Sequence, residues 1–210
     1  MAVAAAGAAM RTVRTIDVSG LPVDVVSAAA PLWWGTMGLI VIESTMFAIV
    51  IGSYFYVRQN YGAWPPEGTM DPDLWRGGLM IAALAASAVP MWIVDRLTPE
   101  GDEASIRLWL AICCVLCVVC LVTRWIEFGA FHCRWDTHAY GSVVWTAIGV
   151  HTSHLVASTA ETIVMTIDAF MKPIEKKMRL DAKVNSLYWY FVVGWWLVVG
   201  GVIYVAPRVL

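Results

Sequence analysis

Apolar residues gather along the chain into five long runs, at about 32–57, 77–94, 106–122, 140–170 and 187–206, separated by short charge-bearing stretches. A helix crosses about 30 Å of hydrocarbon with roughly 20 mostly apolar residues, and each run approaches or exceeds that length. Inside a bilayer the backbone must pair its N–H and C=O groups internally, which a helix does and an open sheet does not. The pattern therefore predicts an all-α, polytopic membrane bundle of about five transmembrane helices, one domain over residues 31–210. The fourth run is long enough to tilt or to extend beyond the bilayer. No short-period repeat of the solenoid kind is present.

The flanking charges orient this bundle, because Lys and Arg favour the cytoplasmic side of a span. An N-terminus inside places Arg11, Arg14, Arg96, Arg107, Lys172, Lys176, Lys177, Arg179 and Lys183 in the cytoplasm. Arg58, Arg76, Arg124, Arg134 and Arg208 then lie outside, and the bias of nine to five favours N-in and C-out. Residues 1–30 begin Ala-rich and only then reach Arg11 and Arg14, the reverse of a secretory signal, so they are expected to be a retained, flexible cytoplasmic terminus. The first outer loop carries Trp64-Pro65-Pro66-Glu67-Gly68, whose paired prolines favour an extended, ordered path. Trp33, Trp34, Trp64, Trp75, Trp125, Trp135, Trp145, Trp189, Trp195 and Trp196 fall mostly near run ends, where they are expected to anchor in the headgroup zone.

Composition agrees: 60% of the 210 residues are hydrophobic and 14% charged, whereas a soluble domain is roughly a quarter charged. A net charge of −2 offers no basic face for nucleic acid. Four of the five cysteines, Cys113, Cys114, Cys117 and Cys120, lie within the third run, which argues against a disulfide framework. There they suit packing as small hydrophobes better than metal ligation.

An ionisable group at mid-bilayer costs at least roughly 2.5–3.5 kcal/mol, so each one needs a reason. Glu43 stands about ten residues, or roughly 15 Å, into the first run. Burial disfavours its charged form and leaves two readings open: a protonated acid bonded to a neighbouring helix or partner subunit, or a group with a proton- or lipid-linked role. His151 and His154, three apart, share a broad helical stripe with Glu161. That stripe is expected to pack against Glu43 or neighbouring helices, with Ser153, Ser158 and Thr159 allowing close approach. A single His-x-x-His falls short of a metal site, and His132, Cys133, Asp136 and His138 match no common zinc spacing and are read as loop hydrogen bonding. Neither a haem-ligating His set, a phosphate loop nor a nucleophile motif is found, so no catalytic centre or cofactor is expected in this chain.

Taken in order, the motifs resemble subunit III of the haem-copper oxidases, the cytochrome c oxidase group, in its five-helix form. Trp34-Gly35, the stretch from Gly38 to Glu43, and Phe47 are similar to that family's third helix with its intramembrane Glu. Trp64, Pro65, Pro66 and Gly68 resemble its WPP-x-G loop, and Glu127 with Ala139 to Ser142 its approach to the sixth helix. Gly149-Val150-His151-Thr152-Ser153-His154 resembles its G-x-H-x-x-H motif, and Tyr188-Trp189-Tyr190-Phe191-Val192 its final-helix YWHFV. Tyr190, Val193, Thr152 and Ser158 depart from the family's His, Asp, Gly and Gly, as in a divergent branch.

The resemblance implies helices III to VII of a seven-helix fold in a bacterial inner membrane, without a redox centre of their own. It implies packing against oxidase subunits I and II, which carry haem and copper, and bound phospholipid. It also implies support of proton uptake and of turnover stability in a proton-pumping oxidase, with cytochrome c or quinol met only through the complex. A quinol oxidase or nitric oxide reductase system is an alternative setting. A stand-alone transporter relaying protons through Glu43, His151 and Glu161 is another, although broken helices and repeat symmetry are missing.

Overall fold

The computed structural model describes residues 30–209. The expectations for the N-terminal segment, with Arg11 and Arg14, lie outside the described residues. Five long helices follow one another: α1 Pro31–Arg58, α2 Leu74–Leu97, α3 Glu103–Phe128, α4 Ala139–Met171 and α5 Lys176–Gly200. The fifth continues without a break through a π turn, Gly201–Val205, and a last turn, Ala206–Val209. Each covers one of the apolar runs, and the protein is an all-helical membrane bundle.

Neighbouring contacts run α2 to α3, α3 to α4, α4 to α5 and α5 back to α2, so these four close a ring. α1 stands outside it and packs only on α4 and α5 among the principal contacts. Its buried residues, Thr36, Phe47 and Tyr54, repeat at helical spacing and define one stripe, while the rest of its surface is left open. Proline at its first position suits a helix start, where the missing N–H would have no partner.

Among the described residues four helices, α1, α2, α3 and the extended α5, are long and apolar enough to cross a membrane. α4 is the longest single helix but less apolar, and its place explains this: it touches α1, α3 and α5 and buries most of its polar residues. Most of its hydroxyls are satisfied within the helix, as in Thr152 to Ile148 O at 2.6 Å, Thr159 to Leu155 O at 2.7 Å and Thr166 to Thr162 O at 2.7 Å, whereas the buried Ser158 Oγ and Tyr140 Oη have no partner among the described residues. Such back-bonding lets small polar residues face other helices without unpaired groups.

Helix ends extend past the apolar runs into charged residues. α5 starts at Lys176, and α3 runs on through Arg124 and Glu127 to Phe128. At the lysine-rich end, long cations tie the connections together. Arg107 donates to Ala169 O at 2.7 Å and Lys172 O at 3.3 Å, closing the C-terminus of α4. Arg179 donates to Thr98 O and Gly101 O at 3.2 and 2.9 Å. Gly101 is required there, since a Cβ would stand 2.6 Å from Leu97 O. At the opposite end Trp64 is buried, its Nε1 donating to Tyr54 Oη at 2.7 Å and its ring edge-on to Tyr140.

Not every tryptophan is an anchor. Trp189 and Trp196 are fully buried in the core, and Trp64 nearly so, which corrects the interfacial reading for these three. Trp189 Nε1 donates to Ser87 Oγ at 3.0 Å, so its polar edge is satisfied within the bundle.

Candidate functional site

Glu43 lies on the packed stripe of α1, one turn before Phe47, and so turns towards α4 and α5. Its Oε2 accepts from Tyr188 Oη at 2.9 Å and stands 3.7 Å from His154 Nε2. The second distance is too long for a hydrogen bond. His154 Nδ1 lies 2.7 Å from Val150 O; a carbonyl only accepts, so this nitrogen carries the hydrogen and, in the neutral ring, Nε2 keeps its lone pair towards Glu43. Phe47 stacks on Trp195 at 4.9 Å and lies at the same distance from His154, walling the group on its far side.

The Glu43 side chain keeps 18% exposure because it borders a gap between α1, α4 and α5. The gap is a cleft of about 410 Å³ lined by Leu32, Thr36, Leu39, Glu43, Ala157, Glu161, Asp181, Val184 and Tyr188. It is mostly apolar with three carboxylates, and Glu161, exposed on α4, belongs to it.

His151, one turn before His154, faces the other way. Arg124 Nη2 lies 2.8 Å from its Nδ1 and can only donate, so Nδ1 accepts; Nε2 therefore carries the hydrogen and donates to Val192 O at 2.9 Å. Arg124 pairs with Glu127 at 2.5 Å, both essentially unexposed, and its guanidinium lies 3.8 Å from the centre of the Trp196 ring. Glu127 accepts from Tyr204 Oη at 2.8 Å. Tyr204 sits in the π turn, whose wider winding re-aims the following side chains and delivers this hydroxyl to α3. The network joins α3, α4 and α5.

The sequence-derived residues thus separate. Glu43 and His154 meet, Glu161 lines the same cleft, and His151 belongs to the buried network. A relay through Glu43, His151 and Glu161 has no continuous path here, because both nitrogens of His151 are engaged elsewhere. The same engagement leaves His151 no lone pair for a metal or haem iron. Among the described residues no group of three or more His, Cys, Asp or Glu side chains is placed to hold a metal ion. His132 bonds Asp73, Asp136 bonds Arg134, and His138 caps α4 through Gly141 N and bonds Thr69. Burial pushes the Cys133 thiol up from its ordinary value, which disfavours the thiolate a metal would need.

Of the motif residues, Trp34 and Gly35 lie exposed on α1, Gly149 is exposed on α4, Pro65 and Pro66 sit in the loop that buries Trp64, and Trp189 is core. Sequence reasoning missed the Arg124–Glu127 pair, placing Arg124 outside the bilayer end of its span. The signal was there: opposite charges three apart directly after an apolar run, a spacing that pairs on a helix. Tyr188 and Tyr204 carried no such signal, because their partners are far away in sequence.

Comparison with known proteins agrees with the motif order. A family sequence model described as cytochrome c oxidase subunit III matches residues 17–206. A cytochrome c oxidase subunit 3 of Synechocystis is 23% identical over 81% of this chain and 74% of its own length. A probable cytochrome c oxidase subunit 3 of Nocardia farcinica is 26% identical over 81% and 85%. A cytochrome c oxidase subunit 3 of Thermostichus vulcanus is 22% identical over 92% and 98%. With nearly all of its length matched and its helices where the motifs require them, the chain belongs to the cytochrome c oxidase subunit III family.

Proposed function

We propose that this chain is the non-catalytic subunit III of a proton-pumping haem-copper cytochrome c oxidase in aerobic respiration, set in a bacterial inner membrane with its N-terminus in the cytoplasm. The observation that carries this reading is the family match over residues 17–206. Its partners are then oxidase subunits I and II, which hold the haem and copper, and cytochrome c or quinol meets the complex rather than this chain. The side-chain geometry supports a role without redox chemistry of its own, since both ring nitrogens of His151 are committed to protein partners. Exposed apolar side chains on α1, among them Val41, Ile42 and Ile49, suit phospholipid and subunit contacts.

On this reading Glu43 serves proton uptake. Its Oε2 is open to the cleft, held by the Tyr188 hydroxyl, and faces the Nε2 lone pair of His154, so a proton can be held at either atom without moving the helices. The Arg124 network fixes α3, α4 and α5 to one another, α1 packs on α4 and α5 and so holds Glu43 at a fixed depth, and the bundle stabilises subunit I during turnover. The test is to purify the complex through a tag on this chain and record its haem and copper spectrum. Co-purifying haem and copper at oxidase stoichiometry is expected; a chain recovered without haem protein, and transporting protons in liposomes, would overturn the reading.

A further inference from the structure

Three cavities join end to end along the open side of α4 and α5. The Glu43 cleft shares Glu161 and Asp181 with a second cavity of about 430 Å³, which continues along α4 past Ala160, Val164 and Met165. That one shares Asp168, Met178 and Asp181 with a third, of about 300 Å³, which opens among Lys172, Glu175 and Lys177 at the α4–α5 connection. At 1.5 Å per residue Asp168 stands about 4.5 Å and Glu161 about 15 Å from the end of α4, and Glu43 about 18 Å from the start of α1. The series therefore runs from the lysine-rich end of the bundle to the depth of Glu43.

The chemistry of the walls sets what can fill it. A carboxylate within a membrane span faces a protein partner or a water-filled cavity, because hydrocarbon solvates neither its charge nor its hydrogen-bonding groups. Glu161 is exposed at mid-depth on α4. The ionisable side chains that line the first two cavities with it are Glu43 of α1, Asp168 of its own helix, and Asp181 and Tyr188 of α5. Water suits such a lining, and cavities of this size hold a file of several molecules.

We propose that the three cavities form the water-filled inlet by which protons reach Glu43, with Glu161 as the intermediate carrier. A proton from water at the α4–α5 connection binds the Glu161 carboxylate. That O–H bond then breaks, the proton crosses the cleft through water and forms an O–H bond on Glu43, and Glu161 is left as a carboxylate for the next proton. The path bypasses His151, whose nitrogens are bonded to Arg124 and Val192, and no step passes through Asp181. Tyr188, donating to Glu43 Oε2, holds the receiving carboxylate at the cleft wall. The inference rests on the reading of Glu43 as a proton-uptake residue of an oxidase and adds the route that supplies it.

The test follows proton uptake by the purified complex in liposomes, by stopped flow with a pH-sensitive dye, alongside its haem and copper spectrum. Glu161→Gln is expected to slow uptake severalfold with haem content unchanged, and Glu161→Asp to recover most of the rate. The Glu43→Gln/Glu161→Gln double variant is expected to be no slower than the slower single one, as for two carriers in one path. Ala157→Phe, at an exposed lining position of the cleft, leaves both carboxylates in place and is expected to slow uptake by filling the way between them. Full-rate uptake in Glu161→Gln or in Ala157→Phe while Glu43→Gln is slow, the result if acyl chains or another subunit fill the cavities, would overturn the route and leave the oxidase reading standing. Slowing that multiplies in the double variant would overturn it as well. A chain that purifies without haem, or full-rate uptake in Glu43→Gln and Glu161→Gln alike, overturns the underlying reading and the route with it.

Discussion

Removing the charge from Glu127 while keeping its shape, by Glu127→Gln, tests the buried network most sharply. The amide oxygen still accepts from Tyr204, so the lost element is the partner of Arg124, which lies at 1% exposure with its guanidinium over Trp196. A buried cation left without its counter-charge costs roughly 3–5 kcal/mol. At about 2–4 °C per kcal/mol for a chain of this size, Tm should fall by roughly 6–20 °C. Adding Arg124→Met removes the stranded cation and leaves mainly His151 Nδ1 short of a donor, a cost of about 1–3 kcal/mol. The double variant should therefore be more stable than Glu127→Gln alone. Thermal unfolding in nanodiscs, followed by tryptophan fluorescence, reports both Tm and the Trp196 environment. A double variant as unstable as the single one, or a single variant within about 1 kcal/mol of wild type, would refute the argument from an uncompensated buried charge.

Glu43→Gln keeps an acceptor for Tyr188 and is expected to leave the haem content of the purified complex intact while slowing proton uptake or shortening turnover lifetime; haem loss would contradict the support role. Gly77→Ala puts a methyl group 2.7 Å from the Tyr204 ring and should lower stability by about 1–3 kcal/mol in the same melting assay, with no rescue by Tyr204→Phe because the clash is with ring carbons. Trp64→Phe forfeits the bond to Tyr54, and a loss of about 0.5–1.5 kcal/mol is expected, measurable as a shift in the unfolding midpoint. The backbone N–H of Ser105 holds the Asp102 carboxyl below its usual range. A depressed carboxylate stabilises above its unfolded pKa and loses that contribution as pH falls through the folded one. Acidification should therefore loosen the start of α3, seen as a Ser105 amide chemical shift that moves with pH in wild type and stays fixed in Asp102→Asn.

Apolar run length was sufficient to place five helices, because hydrocarbon leaves the backbone few alternatives and the demand is local to each segment. Motif order likewise named the family, since it depends on residues within single helices and their connections. What the pattern could not decide is which polar residues face each other. His151 and His154 are one turn apart, yet one meets Arg124 of α3 and the other Glu43 of α1, because α4 is enclosed on several sides. The span ends were also set by tertiary contact: Arg124 and Glu127 remain helical and buried because a tyrosine some eighty residues later reaches them through a π turn. Glu43 was legible as an intramembrane acid from its neighbours in sequence. Its cleft was not, because it is the gap left between α1, α4 and α5, and a gap between helices is a property of their packing rather than of any one of them.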